Sequence, residues 1–123
     1  MALDVLIVDR SAAIRRILER VLRHADFQFG EVIEAADGRE ALEKLQADNI
    51  GLILSEIDMP NMDGLEFLQR IKANHDWKNL PMIMISTEGN QDKVLRAIQL
   101  GAFGSIRKPF AAEQLKEKLI GFL

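Results

Sequence analysis

The sequence predicts an α/β fold in which five parallel strands alternate with five helices that cover both faces of one sheet. Two observations support this prediction. Short apolar runs occur five times along the 123 residues, and each is followed by a segment whose apolar residues recur at helical spacing. Several polar and charged residues come directly after the apolar runs, which is where ligands bind in open parallel sheets.

The first strand and helix lie within the first 25 residues. The segment 4–9 (DVLIVD) is apolar at both alternating sets of positions, which indicates a strand that is buried on both faces. From Ser11 the apolar residues take the spacing of a helix and form one stripe that runs to Ala25. Gly30 then interrupts the pattern.

Two further strand and helix pairs follow in the middle of the chain. A short second strand is predicted over 32–35 and a third over 51–55. Asp37 and Asp63 each precede a helical pattern and have a glutamate three residues later, which is the pattern of a capping box. We therefore expect the second and third helices to begin at these acids.

The last two strands are predicted over 81–85 and 104–107. Asn90 is placed to cap a fourth helix, which carries Ile98 among its apolar residues. A fifth helix is predicted after Pro109. It completes the alternating order of strands and helices.

Composition excludes several classes of protein. A chain of 123 residues with 48% hydrophobic residues can bury one core, and no linker divides it, so 1–123 is predicted to be one domain. No apolar run is long enough to cross a bilayer, and no secretory signal is visible. The absence of cysteine excludes disulfides, and the net charge of −3 gives nucleic-acid binding no support. We expect a cytoplasmic protein without nucleic-acid or membrane partners.

The residues that follow the predicted strands include acids, cations and hydroxyls. They are Asp9 and Arg10 after the first strand, Glu56 and Asp58 after the third, Ser86 after the fourth and Lys108 after the fifth. One such residue alone is more often a solvated loop residue. Together they lie at one edge of a parallel sheet, and opposite charges with a hydroxyl suit a site for phosphoryl groups.

Four of these features resemble the receiver domain of two-component response regulators, most closely the single-domain chemotaxis type. They are Asp9, the acid four residues before Pro60 in EIDMPNMDG, Ser86, and the Lys-Pro-Phe run at 108–110. The resemblance covers essentially the whole chain. It implies a flavodoxin-like fold with strand order 2-1-3-4-5 and a role in phosphorelay signalling, not an enzyme.

The resemblance also implies a mechanism. In this family an aspartate at the end of the third strand takes a phosphoryl group from a phosphohistidine. Two acids after the first strand and a backbone carbonyl hold a magnesium ion, and a serine or threonine and a lysine bind the phosphoryl oxygens. The response changes the face formed by helix four, strand five and helix five.

Three positions of this chain depart from the family pattern. Glu56 stands at the acceptor position, Arg10 replaces the second metal-binding acid, and Ser105 stands at the aromatic switch position. Glutamate reaches about 1.5 Å further than aspartate, and in-line transfer tolerates such misplacement poorly. We therefore predict a pseudo-receiver that is not phosphorylated on aspartate in the usual way. Glu56 is expected to pair with Lys108 and Ser86 and to imitate part of the phosphorylated state.

Arg10 is expected to affect both the ion pairs and the metal binding at this edge of the sheet. Its guanidinium is expected to pair with Asp9 or Glu56 and partly to stand in for a metal. No cofactor is expected, and magnesium binding by the candidate ligands Asp9, Glu56 and Asp58 is expected to be weakened by the arginine.

The expected partners are proteins. A histidine kinase or phosphotransfer protein is expected to bind at helix one, and an effector at the face of helix four, strand five and helix five. Helix one carries a basic stripe that favours an acidic partner, although the commoner meaning of such a stripe is a solvated face. The stripe consists of Arg16, Arg20 and Arg23.

Other functions remain as alternatives. One alternative is a working receiver that accepts a phosphoryl group on Glu56 or Asp58. Another is a dimerisation module without enzymatic activity. An α/β phosphatase is less favoured because position 11 is serine where that class needs a second aspartate. A flavin-binding protein is less favoured because the segment after the first strand is a poor phosphate loop.

Overall fold

A computed structural model of the protein describes residues 3–24, 29–87, 90–108 and 110–120. The described strands are β1 (Leu3–Val8), β2 (Phe29–Ala35), β3 (Leu52–Glu56), β4 (Met82–Ser86) and β5 (Gly104–Arg107). The described helices are α1 (Ala12–His24), α2 (Gly38–Ala47), α3 (Gly64–Lys72), α4 (Gln91–Gln99) and α5 (Ala112–Ile120). Strands and helices alternate along the chain as predicted. Ala25 and Pro109, which were placed in the helix-one stripe and before the last helix, lie outside the described residues.

The strands form one parallel sheet in the order β2-β1-β3-β4-β5. The predicted fold class and strand order are confirmed. The chain leaves β1 toward β2 and later returns to the other side of β1 with β3, so the order reverses between β1 and β3. Ligands in such sheets bind beyond the carboxyl ends of the strands at this reversal.

Two apolar layers hold the sheet between the helices. Every residue of β3 and β4 is buried, and their side chains alternate between the two faces. One face packs against α2, α3 and α4 around Phe67, and the other packs against α1 and α5 around Leu22. Full burial of an aliphatic or aromatic side chain stabilises the fold by about 1.5–3 kcal/mol. The strand ends are therefore held by a well-packed core.

Four strands differ from the prediction at their boundaries: β1, β3 and β4 are displaced by one residue, and β2 begins three residues earlier. Gly30, which interrupts the helical pattern of the first helix in the sequence, lies inside β2, because this strand begins at Phe29. A Cβ atom at Gly30 would lie 2.3 Å from Oδ1 of Asp4, so the glycine permits a close approach to β1. Glu56 is the last residue of β3, paired beside Ile85, because the buried strand continues one residue beyond its apolar run.

The capping predictions hold for two helices and fail for the third. Asp37 and Asp63 each accept a hydrogen bond at 2.9 Å, from the backbone N–H groups of Glu40 and Glu66. Such caps contribute about 1 kcal/mol each. Asn90 precedes α4 but makes no capping hydrogen bond with its side chain, which binds elsewhere. Among the described residues, no helix combines the length and apolar character that a membrane span requires.

Candidate functional site

Four charged residues meet at the carboxyl edge of the sheet, where the strand order reverses. Asp9 and Arg10 follow β1, Glu56 ends β3, and Lys108 follows β5. Asp9 is 1% exposed and Glu56 is 6% exposed. Nζ of Lys108 lies 3.0 Å from Oδ2 of Asp9 and 3.9 Å from Oε1 of Glu56. We call Asp9, Arg10, Glu56 and Lys108 the strand-end cluster.

Arg10 covers Glu56 from the solvent side. Its backbone N–H donates a hydrogen bond to Oε2 of Glu56 at 3.3 Å, and its Nε lies 3.6 Å from Oε1. The Arg10 side chain is 61% exposed, whereas that of Glu56 is buried. The guanidinium therefore pairs with Glu56 and not with Asp9, and the Glu56 carboxylate lies between two cations.

Asp9 is held rigidly by its neighbours. Its Oδ1 accepts a hydrogen bond from the backbone N–H of Ser11 at 2.9 Å, and its own N–H donates to the carbonyl of Ala35 in β2. The Arg15 guanidinium donates to the Asp9 carbonyl oxygen and also to Oε1 of Glu34, at 2.8 Å. Lys108 then neutralises a carboxylate whose position is already set.

Arg15 was not among the predicted site residues. A usable signal was present in the sequence. Arg15 stands three and seven residues before Leu18 and Leu22, which are the buried residues of α1, so helical spacing turns Arg15 toward the sheet. Only Arg16, Arg20 and Arg23 of the helix are exposed arginines.

The loop after β3 is held close to Glu56 at the end of the strand. The backbone N–H of Gly64 donates to the carbonyl of Ile57 at 2.7 Å. A Cβ atom at Gly64 would lie 2.4 Å from the carbonyl oxygen of Glu56. Asn61 has a positive φ of 64°, and its side chain donates to Oδ2 of Asp37 at 2.7 Å. The Asp-Gly pair of the motif thus caps α3 and lets the loop pass against Glu56.

Asp58 lies outside the strand-end cluster. Its carboxylate accepts hydrogen bonds from Nζ of Lys93 at 2.6 Å and from Nδ2 of Asn90 at 2.9 Å. The hydrogen bond from Lys93, followed by that from Asn90, lowers the pKa of Asp58, and the same contact raises the pKa of Lys93. The structure therefore does not bring Asp58 together with Asp9 and Glu56. Instead, the Asp58 side chain joins the loop after β3 to the start of α4.

Ser86 and Ser105 lie on the α4 side of the cluster. Ser86 ends β4, is buried, and accepts a hydrogen bond on its backbone carbonyl from the N–H of Lys108 at 2.7 Å. Among the described residues, its hydroxyl has no hydrogen-bond partner. The predicted pairing of Glu56 with Ser86 is therefore absent, while the pairing with Lys108 is present but long. Ser105 is partly buried on β5.

Burial raises the pKa of Glu56 above its ordinary value. The negative charge of Asp9 acts in the same direction, while Lys108 and the Arg10 N–H oppose the shift. The charged form of Glu56 is thus costly in this position and depends on the two cations beside it.

The residues present do not fit a magnesium site. Magnesium takes oxygen ligands in near-octahedral geometry, usually from one or two carboxylates and several waters. Here Asp9 and Glu56 are engaged by Lys108 and Arg10, and Asp58 is turned to Lys93. Within the described ranges, no group of three or more acidic or histidine side chains is placed to hold a metal ion.

Fold and site together define a signalling domain of the response-regulator class. The family model "Response regulator receiver domain" matches residues 5–120, so the chain belongs to this family. The matched segment contains all four residues of the strand-end cluster. The family model therefore covers the features that suggested the resemblance, and it also covers the positions of Glu56, Arg10 and Ser105.

Several of the similar proteins are chemotaxis proteins. The chain is 37% identical over 117 residues to chemotaxis protein CheY of Pseudomonas aeruginosa, covering 95% of this chain and 93% of the relative. It is 38% identical to CheY-3 of Vibrio cholerae, covering 95% and 88%. The structure of CheY4 of Vibrio cholerae matches all of both chains with a TM-score of 0.85 and 36% identity. A putative response regulator from Chloroflexus aurantiacus matches with a TM-score of 0.88 and 27% identity, covering 98% and 97%.

Proposed function

We propose that this receiver signals by binding protein partners without passing through the usual aspartyl phosphate. One observation carries the proposal: the carboxylate at the acceptor position is already paired with Arg10 and Lys108. The chain acts as a pseudo-receiver and as a signalling module, not as an enzyme with a substrate of its own. We expect it to work in the cytoplasm, like the chemotaxis proteins it resembles.

Charge balance supports this proposal. A phosphoryl site works by placing cations around developing negative charge. In the strand-end cluster, two carboxylates already neutralise two cations. An incoming phosphoryl group would have to displace Glu56 from Arg10 and compete with Asp9 for Lys108. The site also offers no fitting set of oxygen ligands for magnesium, so transfer lacks the ion that the family uses.

We further propose that Glu56 imitates part of a phosphorylated acceptor. Its longer side chain places a negative charge beside Lys108, whose backbone N–H is bonded to Ser86 at the end of β4. The imitation is partial, because a phosphoryl group carries about −1.5 to −2 charges and three oxygens. It also leaves the Ser86 hydroxyl unused.

The test is phosphorylation in solution, measured by intact mass. The protein is incubated with magnesium and acetyl phosphate and then weighed. We expect no phosphoryl adduct on the wild type, because neither the acceptor nor the metal ligands are in place. A stable adduct on Glu56 or Asp58 would overturn the proposal and favour the alternative of a working receiver.

A matched variant shows that the assay detects transfer. Arg10→Asp combined with Glu56→Asp restores an acid after β1 and the shorter acceptor, and we expect this variant to gain an adduct. Glu56→Asp alone is expected to react less, since Arg10 still occupies the place of an acid.

Two surfaces support protein binding. On α1, exposed Ile17 lies between Arg16 and Arg20 and borders a groove of about 190 Å³, which is lined by Ile14, Ile17, Leu18, Val21, Lys108 and Phe110. Apolar side chains of α4 and α5 are also exposed, with Leu95 61% exposed. We assign the first surface to a histidine-bearing partner of acidic character and the second to an effector.

Four exposed apolar residues outside α1 also favour a second candidate function, dimerisation. They are Leu95, Ile98, Phe103 and Ile120. Sedimentation of the wild type and of a Leu95→Glu variant separates the two functions. A dimer that Leu95→Glu dissociates supports the dimerisation module, and a monomer at all concentrations supports an effector surface.

A further inference from the structure

A cavity of about 190 Å³ lies between the end of β4, the first turns of α4 and strand β5. Its lining residues are Ser86, Thr87, Gln91, Val94, Ser105 and Arg107. At about 30 Å³ per water, this volume holds about six water molecules. The space is thus large enough for a small anion or for one side chain of a partner.

The cavity exists because β5 presents a short side chain toward α4. Ser105 pairs beside Met84, and Arg107 pairs beside Ser86. Since side chains two residues apart share one face of a strand, Ser105 and Arg107 point to the same side of the sheet. The Ser105 side chain ends at its hydroxyl and leaves the space above it open, while Arg107 is exposed at the end of the strand.

Most of the residues that line the cavity have polar side chains. Five of its six residues are polar, and Val94 is apolar. The Thr87 hydroxyl accepts a hydrogen bond from Asn90 at 3.2 Å. Within the part of the chain that the structure describes, the side chains of Ser86, Gln91, Ser105 and Arg107 have no hydrogen-bond or ion-pair partner.

We propose that this cavity binds a small oxyanion. Arg107 is the charged residue of the lining, and a guanidinium binds carboxylate and phosphoryl oxygens through paired hydrogen bonds. The hydroxyls of Ser86 and Ser105 and the amide of Gln91 supply further donors on the other sides. The oxyanion is either a free ion or the carboxylate or phosphate of a partner's side chain.

The site lies beside the strand-end cluster and shares one strand end with it. Ser86 lines the cavity with its side chain, while its carbonyl accepts a hydrogen bond from the N–H of Lys108. An anion bound to the Ser86 hydroxyl is therefore coupled to the end of β4 and to α4. This proposal does not depend on how Glu56 works.

The test is a titration of isotopically labelled protein followed by its backbone amide spectrum. Sodium acetate and inorganic phosphate are added separately at constant ionic strength, with chloride as the balancing anion. We expect saturable shifts centred on Gln91, Ser105 and Arg107. Shifts that do not saturate, or that centre on Arg10 and Lys108 instead, would overturn the proposal.

Variants make the test specific. Arg107→Gln is expected to weaken binding about tenfold or more, because a hydrogen bond to a charged group is lost. Ser105→Phe is expected to abolish binding by filling the cavity. Arg39→Gln, at an exposed arginine of α2, is the matched control and should bind as the wild type does. Equal binding by Arg107→Gln would overturn the site even if Ser105→Phe fails to fold.

A second arm identifies the source of the anion. Acetyl-glutamyl-amide and phosphoserine replace acetate and phosphate in the same titration. Tighter binding of these compounds assigns the cavity to a partner's side chain, and equal or weaker saturable binding assigns it to a free ion. Absence of saturation with all four compounds overturns the proposal.

Discussion

Glu56 is one methylene group longer than an aspartate, and its effect depends on the residues around it. The longer side chain reaches the Arg10 N–H and guanidinium and approaches Lys108. Burial and the neighbouring Asp9 make the charge costly, so the pKa of Glu56 is raised. The residue is therefore an ion-paired group under electrostatic strain, and its protonation is linked to stability.

That linkage predicts the effect of neutralising Glu56. Because its pKa is raised on folding, the folded state takes up a proton more readily than the unfolded chain. The stability contributed by Glu56 is therefore fully present below the ordinary glutamate pKa of 4.5 and is lost as the pH rises through the raised pKa. Glu56→Gln should increase the free energy of unfolding at neutral pH, and the increase should vanish in acid. Urea unfolding across this pH range measures the effect.

The control for this prediction is Glu43→Gln, at an exposed glutamate of α2. It should change stability little at any pH. A Glu56→Gln protein that is less stable than the wild type at neutral pH would show that the two cations outweigh burial.

At the scale of elements, the contact of Asp58 with Lys93 fastens the start of α4 to the loop after β3. Both side chains are partly exposed, so a double-mutant cycle with Asp58→Asn and Lys93→Met should give about 0.2–1 kcal/mol of coupling. The lowered pKa of Asp58 means that its contribution is present above the unfolded aspartate pKa and is lost as the pH falls through the folded one. High salt should reduce the coupling. Strictly additive single variants would contradict it.

The close packing of Gly64, where the loop after β3 meets α3, leads to a further prediction. Alanine at Gly64 would place a Cβ atom 2.4 Å from the Glu56 carbonyl oxygen. Gly64→Ala should therefore lower the free energy of unfolding by about 1–3 kcal/mol, as overpacking does. Gly104→Ala is the matched control, because the nearest atom to its Cβ would be the Lys118 side chain at 3.6 Å. Thermal unfolding of both variants measures the difference, and equal losses would contradict this explanation.

Across the whole molecule, local sequence patterns predicted the strands and the helix caps but not the directions of the side chains. Strand runs and the caps at Asp37 and Asp63 depend on neighbouring residues, so they were visible in the sequence. The partner of Asp58 was not, because Lys93 lies 35 residues away and reaches Asp58 only through the packing of α4 on the sheet. The ion pairs of Arg10 with Glu56 and of Lys108 with Asp9 were likewise not visible in the sequence, because they depend on how the ends of β1, β3 and β5 meet.

The whole molecule also allows a test of whether Glu56 imitates a phosphorylated acceptor. The Arg10→Asp, Glu56→Asp variant supplies two reference spectra, without and with acetyl phosphate and magnesium. Backbone amides of Leu95, Ile98 and Ser105 report on α4 and β5. We expect the wild-type amide shifts to lie between the two references, because Glu56 supplies part of the charge of a phosphoryl group but makes no hydrogen bond to Ser86.

The outcome separates imitation from mere loss of chemistry. If wild-type shifts coincide with the unphosphorylated reference, Glu56 blocks transfer without imitating its product. Glu56→Gln should move the amides toward that same reference, since it keeps the size of the side chain and removes its charge. A Glu43→Gln protein, changed equally in charge at an exposed residue of α2, should leave them in place. Movement in both variants would show that the amides report net charge and not the occupant of the acceptor position.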